Sequence, residues 1–313
     1  MSTCSTASQE LDEPIAGTAA TARTWLLLEQ PGPWGAKALT SSHLDPAVGR
    51  ALEAAAQGTG VRIALIRRPG RHADCGTPTI RQVYAAHTVP GNAWLRSAAL
   101  DDPRALLGLD FAALGRGEHR TFDGALGARA HTGDPLALVC TNGKRDRCCA
   151  LLGRPLAAEL AASGVEGVWE VTHLGGHRFS PTLLVLPYGY AYGRTRAHAV
   201  EEILSGVREG RIAVEGCRGS SAWERPGQAA ELAVRTAVHE DAADALRVVA
   251  TRGAAPRWRV TVAHADGRRW CVEVAKGASL PPRPESCGTS VLGSPARMEV
   301  VAVRELTVAA LAS

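Results

Sequence analysis

Two cysteines and two histidines offer the chain's most specific chemistry. The stretch Cys140-Thr-Asn-Gly-Lys-Arg-Asp-Arg-Cys148-Cys149 leads into an amphipathic segment, and His173-Leu-Gly-Gly-His177 follows it. Thiolates and imidazoles are metal donors, and their spacing decides which centre they suit. A zinc knuckle uses cysteines two to four residues apart, because a tight turn brings both sulfurs onto one ion. Here eight residues separate Cys140 from Cys149. His-x3-His is compatible with zinc, but the cysteine half is too open. An iron–sulfur cluster is larger and takes ligands from separate loops, and in Rieske-type centres two His replace two Cys on one iron. Gly175 and Gly176 permit a tight loop between the imidazoles, and adjacent glycines argue against a helix there. Taken singly, each of these four residues reads as packing or surface. Taken together at two strand exits, they read as ligands.

The surroundings leave alternatives open. Cys148 adjoins Cys149 and is either a spare ligand or a buried thiol at the start of a helix. Lys144, Arg145, Arg147 and Arg178 crowd the site. Such cations would stabilise an anionic cluster and raise its potential, or form a docking patch for an acidic redox partner. Lys144 reads equally as part of a solvated loop, and Arg145 could pair with Asp146 to brace it. Tyr188, Tyr190 and Tyr192 suit ordinary strand packing better than a cover for the site, and Trp169 reads as core. Cys4, Cys75, Cys217, Cys271 and Cys287 have no ligand spacing and read as core or surface thiols.

The elements that must position these residues follow from periodicity. Leu136 to Cys140 is a strand running into the first loop, Cys149 to Ala162 a helix with Leu151, Leu152, Leu156 and Leu160 at helical spacing, and Val168 to Val171 a strand leading to the histidines. Another strand at Thr182–Pro187 and a helix at Arg196–Glu209 complete the unit, an order that fits a thioredoxin-like α/β layer. Upstream, strands at 23–29 and 61–66, a helix at 46–55 and a strand pair at 80–86 and 93–96 run in a similar order, which suggests two related halves. The polar, Gly-rich stretch 115–134 reads as a linker. Downstream, a helix over 228–249 precedes a hairpin, 258–263 with 270–274, closed by an Asp-Gly turn, and a last strand at 298–306. The expected organisation is a disordered arm at 1–20, an N-terminal α/β domain at 21–132, a thioredoxin-like ferredoxin domain at 133–227, and a C-terminal helix and β-hairpin region at 228–313.

Composition sets bounds. A net charge of +4 over 313 residues is mild and makes no case for nucleic acid or an acidic membrane as the main partner. No apolar run approaches the ~20 residues of a membrane span. The polar N-terminus is no secretory signal. A cytoplasmic setting is expected, where structural disulfides are rare.

The Cys140 loop, His173-Leu-Gly-Gly-His177, and the following Arg178-Phe-Ser-Pro-Thr-Leu-Leu-Val-Leu-Pro-Tyr-Gly189 closely resemble the sucrase/ferredoxin-like family. This is a branch of the thioredoxin-like [2Fe–2S] ferredoxins. The likeness extends to Trp25-Leu-Leu-Leu-Glu-Gln-Pro-Gly-Pro-Trp-Gly35. It implies one [2Fe–2S] cluster held by Cys140, Cys149, His173 and His177, with Cys149 preferred over Cys148 because it gives the family's Cys-x8-Cys spacing. It implies an electron carrier served by a separate redox partner, since no Gly-rich nicotinamide or flavin fingerprint is found. Sucrose cleavage has no support in a recognisable carboxylate pair. A thiol oxidoreductase is the enzyme alternative, though Cys-x-x-Cys is absent and adjacent cysteines are hard to bridge. A zinc-stabilised interaction module is the third reading.

Overall fold

The computed structural model of the chain describes residues 3–70, 79–289 and 291–307. Cys75 lies outside the described residues.

The first half opens with helix α1 (Cys4–Glu10) and strand β1 (Thr24–Glu29), whose residues are almost all buried. Helix α2 (Pro46–Ala56) begins where Asp45 caps Ala47 N and Pro46 supplies a preset φ. It carries the chain to β2 (Val61–Arg67), parallel to β1, as a parallel pair requires a crossover. Strand β3 (Arg81–His87) returns antiparallel to β1, and β4 (Trp94–Leu100) pairs with β3. After α3 (Phe111–Gly115), the stretch expected as a linker instead holds α4 (Arg120–Leu126) and the short β5 (Arg129–Ala130), with Phe122 buried beside Phe111 and Leu114 of α3. These aromatic and aliphatic side chains complete a core, which a solvated linker has no means to do.

The second half repeats the plan. Strand β6 (Leu136–Cys140), helix α5 (Arg147–Ala162) and the parallel strand β7 (Val168–Val171) are followed by β8 (Thr182–Leu186), antiparallel to β6, and β9 (Tyr190–Gly193), antiparallel to β8. Helix α6 (Ala197–Arg208) and strand β10 (Cys217–Ser220) follow. All ten strands form one sheet in the order β10-β9-β8-β6-β7-β2-β1-β3-β4-β5. The runs β2-β1-β3-β4 and β7-β6-β8-β9 have the same sequence of parallel and antiparallel pairs, so the mixed α/β sheet is two like halves joined edge to edge.

The join is short but anchored. Ile66 pairs with Val171 and Arg67 with Glu170. Arg67 and Glu170 also form a buried ion pair at 2.7 Å. Glu170 accepts a second bond from Thr141 Oγ1 at 2.8 Å, tying the join to the residue after Cys140. Trp25 and Leu27 of β1, Leu138 of β6 and Leu184 of β8 share one apolar cluster that also contains Cys140 and Cys149.

Helix α7 (Arg225–Val238) is shorter than expected. It ends at His239 in the left-handed region, φ 55°; 240–245 form a turn, and the last residues of the expected helix belong to strand β11 (Leu246–Ala254). The sequence has no glycine at this stop, which is why periodicity alone overran it. Strands β12 (Arg257–His264), β13 (Arg269–Ala278) and, beyond the short pair β14 (Arg283–Pro284) and β15 (Leu292–Gly293), β16 (Ala296–Glu305) complete an antiparallel sheet in the order β11-β12-β13-β16. Ala230 and Val234 of α7 pack on Val260, Val262, Val272 and Val274 from it. No helix among the described residues is long and apolar enough to cross a membrane.

The expected disordered arm is also corrected. Thr3 caps α1 through Thr6 N, and Cys4, Ser5 and Ser8 are buried. Ser5 Oγ donates to Ser180 O at 2.9 Å, and Arg194 Nη2 donates to Ser8 O at 2.8 Å. Small polar side chains dock this segment, so it carries no apolar stripe for a sequence reading to detect.

Candidate metal centre

Cys140 ends β6, and Cys149 lies in the first turn of α5. Asp146 caps that helix by accepting from Cys148 N at 2.9 Å. Gly153 lets the helix reach the strand: a Cβ there would lie 2.1 Å from Cys140 O. Helix geometry separates the neighbouring thiols, since consecutive residues point about 100° apart. Cys149 therefore faces Cys140 while Cys148 faces elsewhere.

The loop after β7 supplies the imidazoles. Gly175 and Gly176 both take positive φ, 79° and 67°, a backbone turn that side chains resist. Arg62 Nη2 donates to His173 O at 3.1 Å, and Arg218 Nη1 to Gly175 O at 3.1 Å. Arg218 is fully buried and also bonds Thr18 through Nε and Nη2. Burial, with Arg178 nearby, depresses its pKa to about 10, which still leaves it cationic behind the cysteines. This brace was missed. Nothing local marks an arginine as buried.

A donor atom from each of Cys140, Cys149 and His173 lies within 4.8 Å of the other two. His177 stands beside this triplet, its ring centroid 5.7 Å from that of His173. His177 Nε2 donates to Glu285 O at 3.0 Å. That bond leaves Nδ1 as the bare lone pair, buried and without a hydrogen-bond partner, 3.5 Å from Asp146 Oδ2. His173 Nδ1 is likewise buried and unpartnered. Metal-bound histidines characteristically donate their other N–H to a carbonyl or carboxylate, and His177 is already held that way. Burial lowers the His177 pKa, with Asp146 opposing. The hydrogen bond from Cys149, against desolvation and with help from His173, holds the Cys140 thiol well below its usual range. The same bond and burial push the Cys149 thiol up. Two soft sulfurs and two buried imidazole nitrogens without hydrogen-bond partners form a donor set that could hold a metal.

The other predicted residues divide. Cys148 does not join Cys140. Its sulfur meets Cys4 and Cys287 at 3.4 and 3.1 Å, which removes it as a spare ligand. Arg145 is exposed and does not brace Asp146, which instead accepts from Ser286 Oγ and Cys287 N, both at 3.0 Å. Arg178 is engaged with Glu13 at 2.8 Å and lies over the Phe179 ring. Lys144 and Arg147 are exposed. Leu156 and Leu160 are buried as read, but Leu151 and Leu152 face outward. Tyr190 and Tyr192 are core residues and do not cover the site. An open cleft of about 230 Å³ beside His173 is lined by Lys37, Arg62, Asn142 and Arg145.

The fold and site define an α/β protein with a buried sulfur and imidazole donor set at the ends of two neighbouring strands. The chain belongs to the sucrase/ferredoxin-like family, whose profile matches residues 15–219. That span runs from before β1 to the end of β10 and leaves out α1 and the C-terminal sheet. No curated protein and no solved structure matches the chain.

Proposed function

We propose that the protein is an electron carrier binding one [2Fe–2S] cluster through Cys140, Cys149, His173 and His177. The observation that carries this reading is the convergence of Cys140, Cys149 and His173 within 4.8 Å, beside a His177 whose Nδ1 is free and whose Nε2–H is already engaged. Bound there, such a cluster supplies one-electron oxidation and reduction, at a potential raised by imidazole ligation relative to four thiolates.

The chain's own residues do the rest. Arg218 and Arg62 hold the histidine loop by its carbonyls, and Arg218 adds a buried positive charge that favours the more negative, reduced state. Glu285 O fixes the tautomer of His177. His173 borders the open cleft, and a cluster held there would couple its reduction to proton uptake by the ligating imidazoles, so that its potential would fall as pH rises, by up to about 59 mV per pH unit at full coupling. Lys37, Arg62 and Arg145 around the same cleft suit an acidic redox partner, which the absence of a nucleotide fingerprint in the sequence also calls for.

Iron, sulfide and zinc assays on anaerobically purified protein, with visible and EPR spectra, test this reading. Two irons and two sulfides per chain with a Rieske-like reduced signal support it. Zinc at the Cys140, Cys149 and His173 donors after anaerobic reconstitution would replace it with the zinc module. No metal under either condition would favour thiol chemistry.

A further inference from the structure

A second group of metal donors lies beside the first and shares none of its ligands. Cys4 from α1, Cys148 from the first turn of α5 and Cys287 from the loop after β14 bring three sulfurs together. Cys4 and Cys148 are 3.4 Å apart, Cys148 and Cys287 3.1 Å, and Cys287 and Cys4 3.5 Å. Asp146 completes the set, with one donor atom from each of the four residues within 4.8 Å of the others. Cys4, Cys148 and Asp146 are buried and Cys287 half-buried. Cys4 and Cys287 lie outside the span of the family match.

We infer that these four residues form a structural zinc site, Cys4, Cys148 and Cys287 with an Asp146 oxygen. Three soft sulfurs and one hard oxygen suit a closed tetrahedral Zn²⁺. Sulfurs at about 2.3 Å from a tetrahedral ion stand roughly 3.8 Å apart, so the three edges of the triangle need to open by roughly 0.3 to 0.7 Å. A disulfide would need one pair to close to about 2.05 Å and would leave the third thiol unpaired. Asp146 is held rigidly by Cys148 N on Oδ1 and by Ser286 Oγ and Cys287 N on Oδ2, which leaves Oδ1 the oxygen with a lone pair for the ion. Binding releases the thiol protons to solvent.

The site's role follows from what it fastens. It joins two segments far apart in sequence, α1 and the loop between β14 and β15, to the N-terminus of α5. The chain next to them carries Glu13, which pairs with Arg178 at 2.8 Å and with Arg283 at 2.9 Å, and Glu285, whose carbonyl holds His177. Zinc thereby secures the cover over the histidine loop.

The test uses the full chain equilibrated with one equivalent of zinc, then desalted. Zinc and iron are assayed separately, and zinc-edge X-ray absorption reads the ligands of zinc alone. The expected result is one zinc per chain with three sulfurs near 2.3 Å and one oxygen near 2.1 Å, whatever the iron content. Cys4→Ser with Cys287→Ser should lower bound zinc at least tenfold while leaving iron and sulfide unchanged. Absence of zinc, a two-sulfur two-nitrogen shell, retention of zinc by the double variant, or a disulfide among the three cysteines in intact mass would each overturn the inference. Should the double variant fail to fold, the wild-type spectrum decides. An iron-free protein with a three-sulfur zinc shell would sink the [2Fe–2S] reading and leave this one standing.

Discussion

The two halves of the large sheet share a strand plan and differ at the strand exits. In the second half, β6 runs into a loop bearing Cys140 and Cys149, and β7 into one bearing His173 and His177. In the first half, β1 runs into Gln30-Pro-Gly-Pro-Trp34, which holds no ligand. Trp34 Nε1 donates to Gln30 O, and the Arg67 guanidinium lies 4.3 Å from the centre of the Trp34 ring. That loop is packing throughout, and it abuts the site: Asn142 Nδ2 donates to Gly35 O at 3.1 Å. The same frame thus carries a set of metal-donor side chains once and packing residues once. The chemistry belongs to the exits, as in many α/β proteins where function sits on loops carried by a rigid sheet.

The sharpest way to break this contrast is to remove a ligand from one exit and a packing residue from the other. Cys140→Ser or Cys149→Ser should abolish visible absorption and bound iron, since a lost thiolate leaves the set too small. Trp34→Phe should retain both, at the expense of one hydrogen bond worth about 1 kcal/mol. Equal loss of iron in the two variants, measured after the same reconstitution, would erase the distinction. Next in size is Arg218→Met. It strands Gly175 O and the Thr18 carbonyl in a buried setting, which costs about 3 kcal/mol in urea unfolding. It also removes the positive charge behind the cysteines, so the potential of any protein that still binds iron should fall.

How much of this was legible in the sequence depends on distance along the chain. The potential donors Cys140, Cys149 and His173 could be found because each lies at a strand end or helix start within a 34-residue window, and the turn of α5 places Cys149, not Cys148, beside Cys140. Seven of the ten strands of the large sheet were legible from short apolar runs, while the short β5, β9 and β10 were not. What escaped detection were contacts between remote segments. Arg218 reaches back to Thr18, and Cys148 meets Cys4 and Cys287 across more than a hundred residues on either side. Neither leaves a periodic trace. The arm docks through Ser5, Ser8 and Glu13, residue types that composition assigns to solvent.

Histidines sharpen the comparison in a different way. The first half has its own buried imidazole, His87 on β3, and it is structural. Thr24 Oγ1 donates to Leu114 O at 2.9 Å, so its contact of 2.8 Å with His87 Nδ1 requires that nitrogen to carry the proton. Burial, with Arg23 nearby, lowers the His87 pKa from 6.5 to about 4. The folded state therefore refuses a proton that the unfolded chain accepts between these values. Stability contributed by neutral His87 is complete above pH 6.5 and is lost as pH falls towards 4, by at most about 3 kcal/mol. Denaturant unfolding at pH 7 and pH 4.5 should show this loss in the wild type and a smaller one in His87→Asn. An equal loss in both would assign the acid sensitivity to other groups.

The smallest expected effect comes from two neighbours in one loop. Gly175 and Gly176 share positive φ, so an alanine at either position carries a backbone penalty of about 1 kcal/mol. Their surroundings differ. A Cβ on Gly175 meets nothing within 4 Å, whereas one on Gly176 would lie 2.1 Å from Arg218 Nη2. Arg218 cannot swing aside, because it is fully buried and bonded to Thr18 and to Gly175 O. Gly176→Ala should then cost about 1 kcal/mol more than Gly175→Ala and should be the one of the pair that shifts the potential, since it displaces the charge behind the cysteines. Urea unfolding and a redox titration of both variants read the two parts separately. Indistinguishable results would mean that the loop yields before the arginine does, and that Arg218 follows the histidines rather than holding them.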